Sequence, residues 1–184
     1  MTAAHFSFTA GTLVDSAPAR VSMAAPCGRL SLRARGDLAP LGAALGTDLP
    51  GRIGRRAGSG DTGILCLGPD EWAIHLPEAR LAEVEAAFAG VYASHPHSLV
   101  DVSGAEVTFV VEGPRAAELL TLGCPRDIDT IAPGEGRRTV FDGATVILWR
   151  DAGTRFRLDV RHSFAPHLFA LLDTGCRELA AEPR

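Results

Sequence analysis

Lysine is absent from this chain. All 18 basic residues are arginine, which excludes a Schiff-base lysine and the lysine of a phosphate-binding loop together. Net positive charge is absent as well. The formal charge is -4 at pH 7, the wrong sign for a nucleic-acid binder, which presents a basic face. No apolar run approaches the roughly 18 residues of a membrane span. The N-terminus shows neither the basic head nor the continuous apolar stretch of a secretory leader, and its first basic residue is Arg20. Cysteine is sparse and scattered: Cys27, Cys66, Cys124 and Cys176 include no C-x-x-C pair, so the common zinc and redox motifs are missing. Without a leader the four thiols are expected to be reduced, and the expectation is a soluble cytoplasmic protein with no membrane partner.

The apolar fraction, 46%, is ordinary for a globular protein and sufficient for a core. Its arrangement is periodic. Arg29–Arg35 alternates, with Leu30 and Leu32 on one side, and reads as a strand. Asp37 caps a short helix that places Leu38, Leu41 and Leu45 on one face and ends at Gly46. Residues 50–63 are rich in glycine and arginine and read as a loop. Residues 64–67 and 71–76 read as strands, and residues 77–90 as a helix with Leu81, Val84 and Phe88 inward. The second half repeats this order. Residues 98–129 read as strand, strand, helix and turn, with alternation at Val107, Phe109 and Val111. Pro114 opens a helix that carries Ala116, Ala117, Leu119 and Leu120, and Gly123 closes it in a left-handed conformation. A linker over 123–136 leads to strands at 138–141, 144–150 and 155–161. Ser163 caps a last helix with a stripe of Leu168, Leu171, Leu172, Cys176 and Leu179, and Gly175 is a point where that helix can break.

The pattern predicts an α+β protein: a strand–helix–strand–strand–helix unit, duplicated, with antiparallel-rich sheets and helices on one side. The expected organisation is an extended arm over 1–18, a first repeat over 19–96 and a second over 97–184, packed as one compact unit.

Motifs with chemical meaning are few. Gly58-Ser-Gly60-Asp-Thr-Gly63 has the G-x-G-x-x-G form, but a strand follows it, whereas a dinucleotide site needs a helix there. His95 and His97 lack a third ligand at a suitable spacing and read as two loop histidines after a helix. Cys124 follows a helix C-terminus, where the dipole disfavours a thiolate. No G-x-S-x-G elbow presents a serine. Arg155, Arg157 and Arg161 share one face of their strand, and Arg150 is a candidate to join them. The face is either simply solvated or meets an acidic partner or a polyanion such as a folate glutamate tail. Trp72 and Trp149 each lie on a strand, in the core or at an interface. These residues describe a domain without a self-contained catalytic constellation.

Several stretches occur together in family order: Gly68-Pro69-Asp70-Glu71-Trp72, Val100-Asp101-Val102-Ser103, Ala117 with Leu119-Leu120, Gly123-Cys124-Pro125 with Asp127, Arg138-Thr139, Phe156-Arg157-Leu158, and Arg161-His162-Ser163-Phe164-Ala165. In these the chain resembles the gamma-subunit family of heterotetrameric sarcosine oxidase, from about Arg20 to about Cys176. The same skeleton looks like the N-terminal part of the folate-binding aminomethyltransferase superfamily. His162 and Phe169 depart from the family pattern, which more often has arginine and tryptophan there. The resemblance implies an accessory subunit of an oxidoreductase complex with alpha, beta and delta partners. That complex oxidatively demethylates sarcosine to glycine, with oxygen as acceptor, giving hydrogen peroxide and formaldehyde, or methylenetetrahydrofolate. It implies no catalytic, cofactor-binding or metal residue in this chain, with FAD, FMN, NAD, zinc and tetrahydrofolate on the partners. The candidate interface residues are Trp72, Arg155, Arg157, Arg161, Phe164 and Phe169; the core is the alternative place for the three aromatics. A free-standing tetrahydrofolate-binding, aminomethyltransferase-like protein is the alternative function, and a scaffold unrelated to sarcosine is the third.

Overall fold

The computed structural model describes residues 9–182. In chain order the strands and helices are β1 (Gly11–Asp15), β2 (Arg20–Met23), β3 (Gly28–Ala34), α1 (Ala39–Leu45), β4 (Arg56–Ser59), β5 (Thr62–Gly68), β6 (Glu71–Leu76), α2 (Leu81–Val91), β7 (His97–Asp101), β8 (Glu106–Glu112), α3 (Ala116–Thr121), β9 (Glu135–Phe141), β10 (Ala144–Ala152), β11 (Arg155–Arg161) and α4 (Ala165–Ala181). Short 3-10 turns precede α2, β8, β9 and α4.

Two sheets result. One has the order β4-β5-β6-β3-β7, the other β1-β2-β8-β11-β10-β9. The duplication is visible in these orders. β3, β6, β5 and β4 lie side by side in the first sheet, as β8, β11, β10 and β9 do in the second. The neighbour on the outer side of β3 is β7, and that of β8 is β2, both antiparallel. β2 precedes the first repeat in sequence yet completes the sheet of the second, and β7 precedes the second repeat yet completes the sheet of the first. By packing, one unit comprises Pro26–Gly104 with Gly134–Arg137. The other comprises the described residues up to Ala25, Ala105–Pro133 and those from Arg138 on. The boundary between these packing units thus falls between Gly104 and Ala105.

Each unit has its own core. In the first, Leu30, Leu32, Ile64, Trp72, Ile74 and Leu76 meet Leu41, Leu45, Val84 and Phe88 of the two helices. In the second, Val21, Met23, Phe109, Val111, Val146, Leu148, Phe156, Leu158 and Val160 meet Leu119, Leu120, Leu168, Leu172 and Cys176. Alternation puts every second strand residue toward its helices, as the period-2 pattern requires.

Several sequence expectations need correction. The first eight residues of the expected arm lie outside the described residues, but Gly11–Asp15 is a strand paired with β2. The expected loop 50–63 contains β4, an edge strand whose Arg-Ala-Gly-Ser sequence has no apolar alternation to reveal it. His97 is not a loop residue; it opens β7. Pro114 lies ahead of α3, which begins at Ala116. Gly123 is not left-handed. It is small because a Cβ there would stand 2.9 Å from the Phe141 ring. Ser163 makes no cap bond. α4 does not break at Gly175, which is buried where a Cβ would sit 2.4 Å from Leu122 and 2.6 Å from Leu119, so glycine permits the close approach of α3 and α4.

Candidate interaction surface

The arginines of β11 sit on the sheet face turned away from α3 and α4. Alternation places Arg155, Arg157, Asp159 and Arg161 together, with Glu112, Val110, Thr108 and Glu106 of β8 directly opposite them. The face is charge-balanced. Arg155 pairs with Glu112. Arg157 makes two bonds to Asp151, at 2.8 and 3.1 Å, and its guanidinium lies 4.7 Å over the Trp149 ring, a stacking geometry that arginine favours. Asp159, 1% exposed, accepts 2.5 Å hydrogen bonds from Thr108 Oγ1 and Trp149 Nε1. Arg161 is exposed at the strand end. It lines a cavity of about 340 Å³ with Glu106, Arg138, Thr145, Ile147 and Asp159.

Arg150 does not join this face. It is register partner to Phe156, on the opposite side. There it donates to the carbonyls of Ile128 (3.2 Å) and Ile131 (2.8 Å) and lies 5.3 Å over the Phe156 ring, tying the segment before β9 to the sheet.

The aromatic candidates separate. Trp72 is 1% exposed, in the core of the first unit. Phe169 is half-buried and stacks on Phe109 with ring centroids 6.4 Å apart. Phe164, 45% exposed, is the aromatic candidate that remains at the surface. Trp72 therefore presents no ring to a partner, while half-buried Phe169 keeps part of its surface open.

Trp72 instead positions a loop. Its Nε1–H donates to the Pro50 carbonyl at 2.9 Å. From there the chain turns at Arg52-Ile53-Gly54-Arg55, closed by the Arg55 N–H on the Arg52 carbonyl at 2.9 Å. Gly54 has φ +84°, the value a type II turn needs at its third residue. Gly54 N–H and Arg55 O bond Cys66 of β5, and Gly54 O accepts from Gly136. Three guanidiniums converge on Glu135, which is 6% exposed: Arg52 at 2.8 Å, Arg137 at 3.2 Å and Arg55 at 3.8 Å. The sequence pattern over residues 50–63 predicts only a loop. Its available signal was three arginines over residues 50–58 with no acidic residue among them.

The family-like motifs have structural work. Asp70, in the β5–β6 turn, holds Arg33 and Arg35 at 3.2 and 2.8 Å, and the Arg35 bond holds its carboxyl below the usual range. Asp101 accepts from Ser103 N–H (2.8 Å) and Oγ–H (2.5 Å), which lowers its pKa in the same way. Ser103 Oγ in turn accepts from Arg29 N–H. Burial pushes the Cys66 and Cys176 thiols up, the reverse of a reactive cysteine. Gly58–Gly63 forms the β4–β5 hairpin. His97 is enclosed edge-on by Phe88 and Tyr92, with Nδ1 2.7 Å from the His95 carbonyl. Among the described residues no group of three or more His, Cys, Asp or Glu converges as metal ligands, and no helix is long and apolar enough to cross a membrane.

Asp70, Asp101, Asp151 and Asp159 are thus tied to arginines, a serine, a threonine and an indole. The chain is 32% identical over 166 residues to the sarcosine oxidase subunit gamma of Corynebacterium sp. (strain P-1), covering 89% of this chain and 81% of that one. It is 33% identical to the Arthrobacter sp. subunit gamma, covering 78% and 71%. A chain of the heterotetrameric sarcosine oxidase from Corynebacterium sp. U-96, solved in complex with pyrrole 2-carboxylate, superposes with a TM-score of 0.82 and 28% identity, covering 94% of this chain and 91% of that chain. The aminomethyltransferase T of the Bartonella henselae glycine cleavage system shares the fold at TM-score 0.59 and 17% identity, covering 79% of this chain and 43% of the enzyme. The family model described as "Sarcosine oxidase, gamma subunit family" matches residues 35–178, and the chain belongs to that family.

Proposed function

We propose that this chain is the gamma subunit of a heterotetrameric sarcosine oxidase and serves it as structure, not as a site of chemistry. The observation that carries the reading is the superposition on a chain of such an assembly along nearly the whole of both chains. The side chains support it. Asp70, Asp101, Asp151 and Asp159 are each engaged in an ion pair or hydrogen bond that fixes a turn or a strand. A general acid or base must instead have a proton position free to exchange with substrate. In this reading the alpha, beta and delta subunits carry FAD, FMN, NAD, zinc and tetrahydrofolate. The complex oxidises sarcosine in the cytoplasm to glycine, with oxygen as acceptor, releasing hydrogen peroxide and formaldehyde or, with tetrahydrofolate, methylenetetrahydrofolate. The free-standing aminomethyltransferase alternative has fold likeness alone, over less than half of that enzyme.

The test is co-expression of the tagged chain with the other subunits of the oxidase. Three co-eluting chains, a flavin absorbance spectrum and sarcosine-dependent peroxide are expected. A colourless, solitary chain, recovered while the partners are demonstrably expressed, would refute the proposal.

A further inference from the structure

We infer that the turn Arg52-Ile53-Gly54-Arg55 is a docking knob that inserts Ile53 into an apolar socket ringed by carboxylates on a partner subunit of the oxidase. This rests on the gamma-subunit reading and adds a surface to it.

Charge gives the first argument. The turn and the segment 134–137 gather Arg52, Arg55 and Arg137 on one acid, Glu135. A single carboxylate neutralises one of the three guanidiniums gathered on it. The Arg52 and Arg55 side chains remain 65% and 58% exposed. In a chain of net charge -4 this is a local surplus of the opposite sign. Its complement is an acidic surface.

Ile53 gives the second. It is 48% exposed at the second position of the turn, between these arginines. A bound phosphate or other small anion would use the guanidiniums and leave an isoleucine in water. A protein surface uses both, because an apolar anchor surrounded by arginine is the composition of an interface centre.

Rigidity gives the third. The turn is tied to β5 through Cys66, to Glu135 and Gly136 by a bridge and a 3.0 Å bond, and to the core through Trp72 and the Pro50 carbonyl. Gly54 takes the φ of +84° that the turn needs, and the Arg137 guanidinium packs against it, 1.2 Å from where a Cβ would be. The knob is thus ordered before it meets a partner, which lowers the entropy lost on docking.

The test compares wild type, Arg52→Ala/Arg55→Ala, Ile53→Ser and a control, Arg126→Ala, at an exposed arginine outside the turn. Each is tagged and recombined with the partner subunits. Affinity is measured at low and high salt, and each variant's thermal melt is recorded. Both turn variants are expected to bind about 10-fold or more weakly, with the double-arginine variant losing most of the salt dependence and the control unchanged. Folded turn variants that assemble like wild type overturn the surface and leave the gamma-subunit reading standing. A wild-type chain that assembles with nothing overturns both. Loss confined to the arginine variant overturns the socket in favour of a small anionic ligand. An isolated chain that is dimeric and becomes monomeric in the turn variants makes a second copy the occupant, which also overturns it.

Discussion

Asp159 offers the sharpest check on the packing argument. It is fully buried on the face of β11 turned away from its helices, and it accepts from Thr108 Oγ1 and Trp149 Nε1 at 2.5 Å each. A hydrogen bond to a charged acceptor contributes about 1.5–3 kcal/mol, a neutral one about 0.5–1.5 kcal/mol. In Asp159→Asn the indole N–H, a donor only, claims Oδ1, and the new amide donates to Thr108, whose hydroxyl can accept. Both bonds survive as neutral ones, so the loss is about 2–3 kcal/mol, offset in part by no longer burying a charge. Asp159→Ala removes both bonds and strands the Trp149 N–H, at a cost of about 3–6 kcal/mol, a large share of the roughly 5–15 kcal/mol that holds a domain folded. Adding Trp149→Phe to Asp159→Ala removes the stranded donor, so the double variant must lose less than the two single losses added. The assay is urea denaturation followed by tryptophan fluorescence and circular dichroism. Asp159→Ala within about 0.5 kcal/mol of wild type, or strict additivity with Trp149→Phe, would refute the reasoning, since neighbours sharing a bond couple by about 0.5–3 kcal/mol.

Further outcomes follow from single contacts. Gly123→Ala forces a Cβ to 2.9 Å from the rigid, buried Phe141 ring, and denaturation should show a loss of about 1–3 kcal/mol. Gly175→Ala forces a Cβ to 2.6 Å from fully buried Leu119 as well as to 2.4 Å from half-exposed Leu122, so the clash should outweigh the gain of about 1 kcal/mol in helix propensity and denaturation should again show a net loss, of about 1–2 kcal/mol. Asp101 has its pKa lowered by the two Ser103 bonds. Its contribution is fully present above the unfolded value of about 3.9 and is lost as pH falls through the folded value. Urea midpoints of wild type and Asp101→Asn should therefore differ at neutral pH, begin to draw together only below about pH 4, and converge once pH has fallen past the lowered folded value. Thiol labelling under native conditions should start at half-buried Cys27 and reach Cys66 and Cys176 only on unfolding, since burial keeps those two protonated.

Periodicity revealed the elements that bury a face and missed those that do not. Leu30 and Leu32, Val107 to Val111 and the stripe from Leu168 to Leu179 announce β3, β8 and α4 because alternate or helically spaced positions all enter a core. β4 escaped because an edge strand of Arg, Ala, Gly and Ser needs no apolar face. The glycines show the limit most clearly. A helix cap at Gly123 and a break at Gly175 are the local readings of those residues, yet both are glycine for the sake of a distant side chain, Phe141 in one case and Leu119 with Leu122 in the other. Local sequence carries no record of that approach. The arginine face was legible as a face, because alternation fixes it. Its neutralisation was not, because Glu112 and Asp151 reach it through strand pairing and a bulge. Trp72, which the sequence leaves in the core or at an interface, is in the core, and its indole acts from there through the Pro50 carbonyl on the loop that does reach the surface.

The exchange of leading strands makes the second unit dependent on residues that precede the first. β8 is paired on one side by β11 and on the other by β2, with Val21 opposite Val111 and Met23 opposite Phe109. Ala19, Val21 and Met23 are at most 5% exposed in that unit's core. A fragment of residues 105–184 retains both helices and four strands but lacks these side chains. Burying valine and methionine contributes about 1.5–3 kcal/mol each, and the β2–β8 ladder is lost with them, leaving buried N–H and C=O groups of β8 without partners. The sum approaches the whole stability of a domain of this size. The fragment alone should show weak tertiary signals and poor amide dispersion in NMR. A synthetic peptide of residues 9–25, added in trans, should restore both by resupplying the missing strand. A fragment that folds cooperatively without the peptide, or that ignores the peptide when unfolded, would show that β2 is an accessory edge and that the second unit's core is complete without it.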